Sequence, residues 1–255
     1  MSAEKEYNTL NWLYNALYGD LSKEELLDLY FIRTHKQLID KYDKNTVRMI
    51  DDACGNGIQA LSLALNGYEV VATDISEEMI NLTIYNAKKY GVNIATDIKA
   101  WTELPDIYKK SFDIVFCTGN SIVHSKDRNS RKKDLEALAM LLKSGGTLVL
   151  ETRNWDKVID ENKTFTVYNK LSYKQKEYIP LYHWQLNGIE NESNVDIILQ
   201  EINEDNSVEL YTNTLSFTPF THNSLIDQLT EIGMKTVADS YVADCDWYHV
   251  YCKNT

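Results

Sequence analysis

Apolar and polar positions alternate along the first part of the chain in a way that predicts strands and helices in turn. The run TVRMI before Asp51 is apolar and β-branched and predicts a strand. The segment IQALSLALNG after Gly57 has the apolar spacing of one helical face, and a second strand, EVVATD, ends at Asp74. Strands that alternate with helices predict an α/β domain built on a mostly parallel sheet.

Two further helices have recognisable ends. Ser22 and Glu25 form a capping-box pattern ahead of LLDLYFIRTHKQLI, which predicts a helix of roughly 20 residues that covers the ligand site. Leu135, Leu138 and Leu142 share a face of a later helix, which is expected to end at the glycines of SGG before the strand TLVLETR.

The pattern changes after Arg153. Strand-like runs separated by charged or Asn/Gly turns predict an antiparallel insertion over the site; they are FTVYNKL, YIPLYHWQL, NVDIILQEI and VELYTNTLSF. The helix SLIDQLTEIG and two strands around 235–241 and 246–252 then return to the first sheet. The predicted organisation is a helical cover at 1–45, a cofactor-binding core at 46–155, the insertion at 156–220, and a return helix with final strands at 221–255.

The glycine turn CGNG joins the first strand to its helix and predicts a ligand site. Gly55 and Gly57 allow a tight turn and a close approach of the backbone to a ligand, and the helix that follows points its amide groups at it. Asp74 can accept hydrogen bonds from both hydroxyls of a ribose. The spacing of Gly55, Gly57 and Ala60 also fits the dinucleotide pattern GxGxxG/A, so the motif predicts an adenosine-containing cofactor without choosing its kind.

Two acids before the turn favour S-adenosylmethionine over a nicotinamide dinucleotide. Asp51 and Asp52 would repel a pyrophosphate, whereas they would attract the sulfonium and ammonium groups of S-adenosylmethionine. The strand FDIVFCTGN ends in small and polar residues that can line the methionine half of that cofactor. An NAD-linked oxidoreductase therefore ranks last among the enzyme classes considered.

The composition of the chain limits the classes of partner that the protein is expected to bind. The chain has 255 residues, 44% of them apolar, which suffices for one catalytic unit. Its net charge of −12 makes a nucleic-acid partner unfavourable, because such proteins gain affinity by neutralising phosphates with Lys and Arg. The four cysteines show no paired ligand spacing, so we expect reduced thiols, no metal site and a cytoplasmic protein. Neither a signal peptide nor a membrane-spanning run is found in the sequence.

Several motifs occur in an order that resembles the class I S-adenosylmethionine-dependent methyltransferases, and most closely glycine N-methyltransferase and the bacterial glycine/sarcosine N-methyltransferases. They are LYGD, DDACGNGIQALSL, DISEEMI, CTGNSIVH, ETRNWDKVI, LSFTPFTH and WYHVYCK. The region from about 160 to 213 matches weakly. The resemblance implies a Rossmann-like sandwich with a mostly parallel seven-stranded sheet and an antiparallel lobe. It also implies methyl transfer from S-adenosylmethionine to the amine of glycine, sarcosine or a similar small amino acid.

The resemblance assigns three catalytic residues. Arg153 would grip the carboxylate of the acceptor with two parallel hydrogen bonds, with an ion pair to another acid as the alternative. Asn120 would bind the acceptor, or would serve only as a turn residue. Tyr18 would point its hydroxyl at the methyl group and the acceptor, or would simply pack against a helix.

The predicted cofactor contacts cluster around the glycine turn and the ends of the neighbouring strands. Trp101 could stack on adenine, Met79 could face adenine or pack in the core, and His124 resembles the family histidine near the methionine carboxylate. The full predicted set is Asp51, Ala53, Gly55, Gly57, Asp74, Ile75, Met79, Ala100, Trp101, Thr118 and His124.

Departures from the family leave the acceptor open. Thr218 stands in LSFTPFTH where glycine N-methyltransferases have a tyrosine that helps enclose glycine, and Asn15 stands where a tryptophan is usual. A small-molecule O- or N-methyltransferase with a structural Arg153, and a non-catalytic S-adenosylmethionine-binding protein, are the alternatives. The resemblance is not taken to imply a tetramer, and other assemblies of identical chains are left open.

Overall fold

The main sheet holds the ends of its parallel strands at one edge. The computed structural model describes residues 3–205 and 207–254. The strands of this sheet are β1 (Arg48–Asp52), β2 (Glu69–Asp74), β3 (Ala95–Ile98), β4 (Phe112–Cys117), β5 (Leu142–Arg153), β11 (Met234–Asp239) and β12 (Trp247–Asn254). In the described residues its seven strands run in the order β11-β12-β5-β4-β1-β2-β3. Strands β1 to β5 pair in parallel and β12 is antiparallel to both of its neighbours, so the predicted mostly parallel seven-stranded sheet is confirmed.

Helices cover both faces of this sheet. They are α1 (Ala3–Ala16), α2 (Lys23–Leu27), α3 (Tyr30–Ile39), α4 (Ile58–Leu65), α5 (Glu77–Tyr90), α6 (Pro105–Tyr108), α7 (Arg128–Leu141), α8 (Trp155–Asp160) and α9 (His222–Glu231). Side chains of α3 and α4 share one apolar core with the sheet, and those of α1, α7 and α9 share the other. Among the helices described, none has the length and apolar character needed to cross a membrane.

A separate antiparallel sheet follows α8, as predicted. Its strands are β6 (Phe165–Val167), β7 (Leu171–Tyr173), β8 (Lys176–Gln185), β9 (Ser193–Ile202) and β10 (Val208–Phe217). Strand β9 alternates buried and half-buried residues, the period expected of a sheet with one face on a core. Its buried face joins the core shared by α1 and α7, so this sheet lies over one side of the main domain.

The predicted helix of roughly 20 residues after Ser22 is wrong, because the chain breaks into α2 and α3. The capping box of Ser22 and Glu25 is present. However, Leu29 is extended, and the carbonyl oxygen of Asp28 accepts a 2.6 Å hydrogen bond from Nη1 of Arg33. The local side-chain bond therefore ends α2 after five residues.

The predicted helix end at SGG is also wrong. Helix α7 stops at Leu141, and Leu142 already has extended backbone and pairs with Phe112 in the sheet. The glycines lie inside β5, where the pairing with β4 shifts register and Gly145 takes a φ of +77°. They form a bulge in a strand, a use of glycine that helical periodicity does not reveal.

Candidate active site

A cavity of about 210 Å³ opens at the carboxyl ends of the parallel strands, where α/β sheets bind their ligands. Its lining contains most of the residues predicted to bind the cofactor. These are Ala53, Gly55, Asp74, Ile75, Ala100, Trp101, Thr118 and His124, together with the predicted catalytic residue Tyr18. The glycine turn and the ends of β1, β2 and β4 therefore converge on one space, which we call the cofactor cavity.

The glycine turn is packed so closely that no side chain fits at its two glycines. A Cβ on Gly55 would lie 2.7 Å from the ring of Tyr14, and one on Gly57 would lie 2.7 Å from Thr83. Both glycines have positive φ, at +56° and +79°. The backbone N–H of Gly55 donates to Asp74 Oδ2 at 2.9 Å. The turn and the carboxylate at the end of β2 are thus held in one fixed arrangement.

The carboxylates beneath the turn are buried without a cation. Burial raises the pKa of Asp51 to about 7 and that of Asp74 to about 6, and it raises the pKa of Asp52 well above its usual value. In the described part of the chain none of the three forms an ion pair, and Oδ2 of Asp52 has no hydrogen-bond partner. A positively charged ligand would lower the cost of ionising these groups. These three carboxyl groups therefore fit the positively charged S-adenosylmethionine better than a diphosphate.

Trp101 and Met79 differ in what they offer the cofactor. Trp101 lines the cavity and donates its Nε1 hydrogen to Asp52 Oδ1 at 3.0 Å, which fixes the orientation of the indole. Met79 is fully buried in the core beside Ile50 and Val71, because α5 turns this position inward. The interpretation of Met79 as a residue facing adenine is not supported, and its packing alternative is favoured.

Asp51 and Gly57 lie behind the cavity wall instead of in it. Oδ2 of Asp51 accepts the backbone N–H of Ala60 at 3.1 Å, and Gly57 is the N-cap of α4. Both shape the turn, and Asp51 adds negative charge beneath it.

A larger cavity of about 560 Å³ adjoins the first. The two share part of their walls through Tyr7, Tyr14, Tyr18, Gln59, Gly119 and His124. The three residues predicted to be catalytic, Tyr18, Asn120 and Arg153, all line this second space. We call it the acceptor cavity.

Arg153 enters the acceptor cavity without an acidic partner. Its Nη2 donates to the hydroxyl of Tyr168 at 2.9 Å, and its guanidinium lies 4.5 Å from the ring centroid of Trp247 and 5.3 Å from that of Trp184. No carboxylate of residues 3–205 or 207–254 forms an ion pair with it. The ion-pair alternative for Arg153 is therefore not supported, and the guanidinium is able to bind an anionic group.

Asn120 presents a donor beside Arg153. It has a φ of +71°, and its Oδ1 accepts hydrogen bonds from Thr152 Oγ1 at 2.9 Å and from the backbone N–H of Arg153 at 3.1 Å. With the oxygen occupied by strand β5, the amide nitrogen is the group left for a ligand. Two neighbouring side chains thus offer N–H groups to one region of the cavity.

The two ring nitrogens of His124 contact β10 and α1. Its Nδ1 lies 2.8 Å from the carbonyl oxygen of Ser216 and must donate to it, so that Nε2, 3.0 Å away from the hydroxyl of Tyr7, acts as acceptor. Burial lowers the pKa of His124, which keeps the imidazole neutral. The same histidine lines both cavities.

Sequence reasoning missed two groups of lining residues. Tyr7 and Tyr14 reach the cofactor cavity from α1, although the cover was predicted from the segment after Ser22. Strand β8 supplies Tyr182 and Trp184, which are spaced by two and therefore share a face. That alternation within YIPLYHWQL was the available signal. Other aromatic side chains of the acceptor cavity are Trp155, Tyr168, Phe217 and Trp247.

Thr218 joins segments of the chain together. Its backbone N–H donates to the carbonyl of Val123 at 2.8 Å and its hydroxyl donates to the carbonyl of Lys126 at 2.9 Å. The residue is buried, so its departure from the family pattern changes the packing between β10 and the segment after β4.

Comparisons with known proteins agree with this geometry. Residues 49–146 match the family model described as a methyltransferase domain. A glycine/sarcosine N-methyltransferase of Aphanothece halophytica is 31% identical over 132 residues, which are 52% of this chain and 48% of that protein. The chain thus spans about half the length of the curated relatives it matches.

Solved structures share the fold over nearly the whole chain. An S-adenosylmethionine-dependent methyltransferase from Clostridium acetobutylicum has a TM-score of 0.73 at 16% identity and covers 97% of this chain and 98% of its own. An amino pentose methyltransferase from Micromonospora echinaspora, solved with S-adenosylmethionine bound, has a TM-score of 0.69 at 15% identity over 95% of this chain and 97% of its own. The chain therefore carries a methyltransferase domain over residues 49–146, as its sequence predicts, and it has the fold of these S-adenosylmethionine-dependent methyltransferases.

Proposed function

We propose that this protein transfers a methyl group from S-adenosylmethionine to the amine of a small molecule that carries a carboxylate: glycine, sarcosine or a similar small amino acid. The observation that supports this most is Arg153. It is a guanidinium without an acidic partner in the described structure, at the end of β5, in a cavity that adjoins the cofactor cavity. The curated relatives named glycine/sarcosine N-methyltransferase agree with this proposal.

Each cavity has a separate task. In the cofactor cavity, Asp74 would accept hydrogen bonds from the ribose hydroxyls. The carboxyl groups beneath the glycine turn would suit the positive charges of S-adenosylmethionine. In the acceptor cavity, Arg153 and the amide of Asn120 would hold the carboxylate. Tyr18 lies on the wall shared by both spaces. An acceptor held in this way would direct its amine at the shared wall.

The proposed reaction depends mainly on how the amine and the methyl group are positioned. Bound S-adenosylmethionine supplies an electrophilic methyl group with a good leaving group, so alignment of the amine can provide much of the rate acceleration. The attacking amine must be neutral. The protein's contribution is then to fix the acceptor by its carboxylate, to exclude water with the aromatic walls, and to keep cations away from the amine.

One observation favours a second candidate, methylation of a larger amine without a carboxylate. The acceptor cavity holds about 560 Å³, which falls within the range of roughly 300–1,000 Å³ typical of sites for much larger ligands than glycine. Its aromatic walls would suit a ring or an apolar side chain. In this candidate Arg153 would have a structural role.

The deciding experiment measures S-adenosylhomocysteine formation by the purified protein with S-adenosylmethionine. The panel contains glycine, sarcosine, dimethylglycine, larger amino acids, and amines and amino sugars without a carboxylate. Turnover with glycine, sarcosine or another small amino acid supports the proposal. Turnover confined to acceptors without a carboxylate supports the second candidate, and tight cofactor binding with no product across the panel supports a non-catalytic binding protein.

A further inference from the structure

A cluster of two histidines and one carboxylate lies beside the acceptor cavity. His35 is on α3, Glu151 on β5 and His249 on β12, so the fold brings together three positions that are far apart in the sequence. Their ligand atoms all lie within 4.8 Å of one another. We propose that these three side chains form a binding site for one divalent transition-metal ion, with Zn²⁺ as the best match.

The spacing fits a metal ion after a small contraction. Three atoms that are at most 4.8 Å apart surround a point within about 2.8 Å of each, compared with roughly 2.0–2.2 Å for Zn²⁺ bound to nitrogen or oxygen. His249 Nδ1 and Glu151 Oε2 are already 3.2 Å apart. Movement of each ligand atom by at most about 0.8 Å would bring it to these bonding distances.

Two of the candidate ligand atoms lack any hydrogen bond in the described structure. They are Nε2 of His35 and Nδ1 of His249. Both atoms are buried, and the two residues are 0% and 9% exposed. The approach of His249 to Glu151 at 3.2 Å does not have hydrogen-bond geometry. Buried ring nitrogens normally have partners, so two that face the same carboxylate indicate a ligand between them.

The surroundings of His35 orient it for metal binding. Its Nδ1 lies 2.9 Å from the hydroxyl of Tyr251. When that nitrogen donates to Tyr251, Nε2 carries the lone pair, and this second contact is the kind that fixes metal-binding histidines. The rings of Phe31 and Phe116 pack at 4.8 Å and 5.5 Å from the imidazole. The site is therefore dry on the side of α3.

Ligand chemistry selects the class of ion. Two imidazoles and one carboxylate are borderline and hard donors that suit Zn²⁺ and other first-row divalent ions, whereas Ca²⁺ and Mg²⁺ prefer oxygen alone. Three protein ligands leave one coordination position for water or another small ligand. Glu151 also lines the acceptor cavity, and its Oε1 accepts the N–H of Gly119 at 3.3 Å. A bound ion would neutralise Glu151 directly behind the acceptor.

The test is metal binding by the full chain after dialysis against a chelator. Titration with Zn²⁺ by calorimetry should give one ion per chain, and Co²⁺ should produce visible absorption bands of a four- or five-coordinate site. The variants His249→Gln and Glu151→Gln should each weaken Zn²⁺ binding by about 10- to 100-fold or more. His183→Gln is the matched control, because His183 pairs with Asp196 on the antiparallel sheet and should leave the affinity unchanged.

A measurement without any variant covers the case in which a substituted protein does not fold. Anomalous diffraction at the zinc edge from crystals of the unsubstituted protein should place the ion between His35, Glu151 and His249. Absence of saturable Zn²⁺ binding, unchanged binding in His249→Gln, or an ordered water in place of the ion in zinc-containing crystals would each overturn the proposal. None of these results depends on whether the protein methylates an amino acid.

Discussion

Arg153 is the residue proposed to distinguish acceptors that carry a carboxylate from acceptors that lack one. Its guanidinium rests against two tryptophan rings and bonds to Tyr168. These contacts hold the planar group in place while leaving donors for a carboxylate. A lysine at the same position would keep the charge but lose the paired geometry.

Replacing Arg153 by Ala should raise the KM for a carboxylate acceptor by roughly 10- to 100-fold, the equivalent of hydrogen bonds to a charged group, with little change in the KM for S-adenosylmethionine. Steady-state kinetics with each substrate varied in turn provide the measurement. Arg128→Ala, which removes an exposed arginine paired with Glu231, is the control. Equal increases in both constants would refute the carboxylate-binding role.

Asp74 should make cofactor binding depend on pH. Burial raises its folded-state pKa to about 6 from the usual 3.8, so the apoprotein favours the protonated carboxyl over a wider pH range. Its contribution to stability is therefore fully present at acidic pH and is lost as the pH rises through about 6. A bound cofactor that favours the ionised form should bind more tightly over the same rise.

The measurement is the Kd of S-adenosylmethionine by calorimetry from about pH 5 to pH 7.5, a range that spans the folded-state pKa. Asp74→Asn should weaken binding and reduce the pH dependence, whereas Asp106→Asn, an exposed acid on α6, should match the unsubstituted protein. A profile that Asp74→Asn leaves unchanged would assign the titration to another group, with Asp51 the next candidate because its pKa is raised to about 7.

At the scale of elements, α1 brings residues to the cofactor cavity that the sequence patterns did not predict. It packs against α5 and β10. Glu6 accepts hydrogen bonds from the backbone N–H of Ser216 at 2.8 Å and from its hydroxyl at 2.7 Å. Tyr7 and Tyr14 on the same helix line the cofactor cavity. The position of α1 on β10 should therefore affect the affinity for the cofactor.

Glu6→Ala should lower the free energy of unfolding by about 1–2 kcal/mol, because the half-buried donors of Ser216 lose the contact with this carboxylate, and should weaken S-adenosylmethionine binding. Urea unfolding and calorimetry supply the two values. Glu4→Ala changes an exposed acid of the same helix and should alter neither. If stability falls while the Kd stays constant, then α1 does not need this contact to form the cofactor cavity.

Local sequence patterns predicted the elements whose signals are local. The strand before Asp51, the glycine turn and the alternating strands after Arg153 have periodicities that a window of ten residues contains. The break at Asp28, the strand residue Leu142 and the placement of α1 depend on particular hydrogen bonds or sheet pairings. The periodicity of apolar positions does not predict such contacts.

The residues of the candidate site also fall into those that local patterns predict and those that they do not. Gly55, Asp74 and Trp101 follow strand ends, so their presence at one sheet edge could be predicted from the order of the motifs. Tyr168, Tyr182 and Trp184 of the acceptor cavity lie in the region that matched the family weakly. His35 and His249 meet only because β12 pairs with β5 and α3 packs across that face.

At the scale of the whole molecule, an ion pair ties the antiparallel sheet to the main domain. Arg131 on α7 is fully buried and donates to Glu190, which lies between β8 and β9, and to Gln228 on α9. Glu190 also accepts the hydroxyl of Ser224 at 3.0 Å. The two sheets should therefore unfold together.

Glu190→Ala should leave Arg131 as a buried charge without its partner and lower the free energy of unfolding by about 3 kcal/mol. Thermal and urea unfolding, followed by tryptophan fluorescence and circular dichroism, provide the measurement. Glu192→Ala, an exposed acid in the same connection, should have little effect. Separate transitions for the two probes in the Glu190 variant would mean that this pair couples the sheets, while a shift below 1 kcal/mol would mean that other contacts hold them.

The layout of the acceptor cavity has a consequence for handedness. Its polar donors, Arg153 and Asn120, belong to the strand ends of the main sheet, whereas the antiparallel sheet supplies aromatic walls such as Tyr182 and Trp184. An amino acid held by its carboxylate, with its amine toward the cofactor cavity, has one remaining substituent to place. Only one of two mirror-image molecules can then turn that substituent to the aromatic wall, so the enzyme would discriminate between the enantiomers of any acceptor that carries a side chain on its α-carbon.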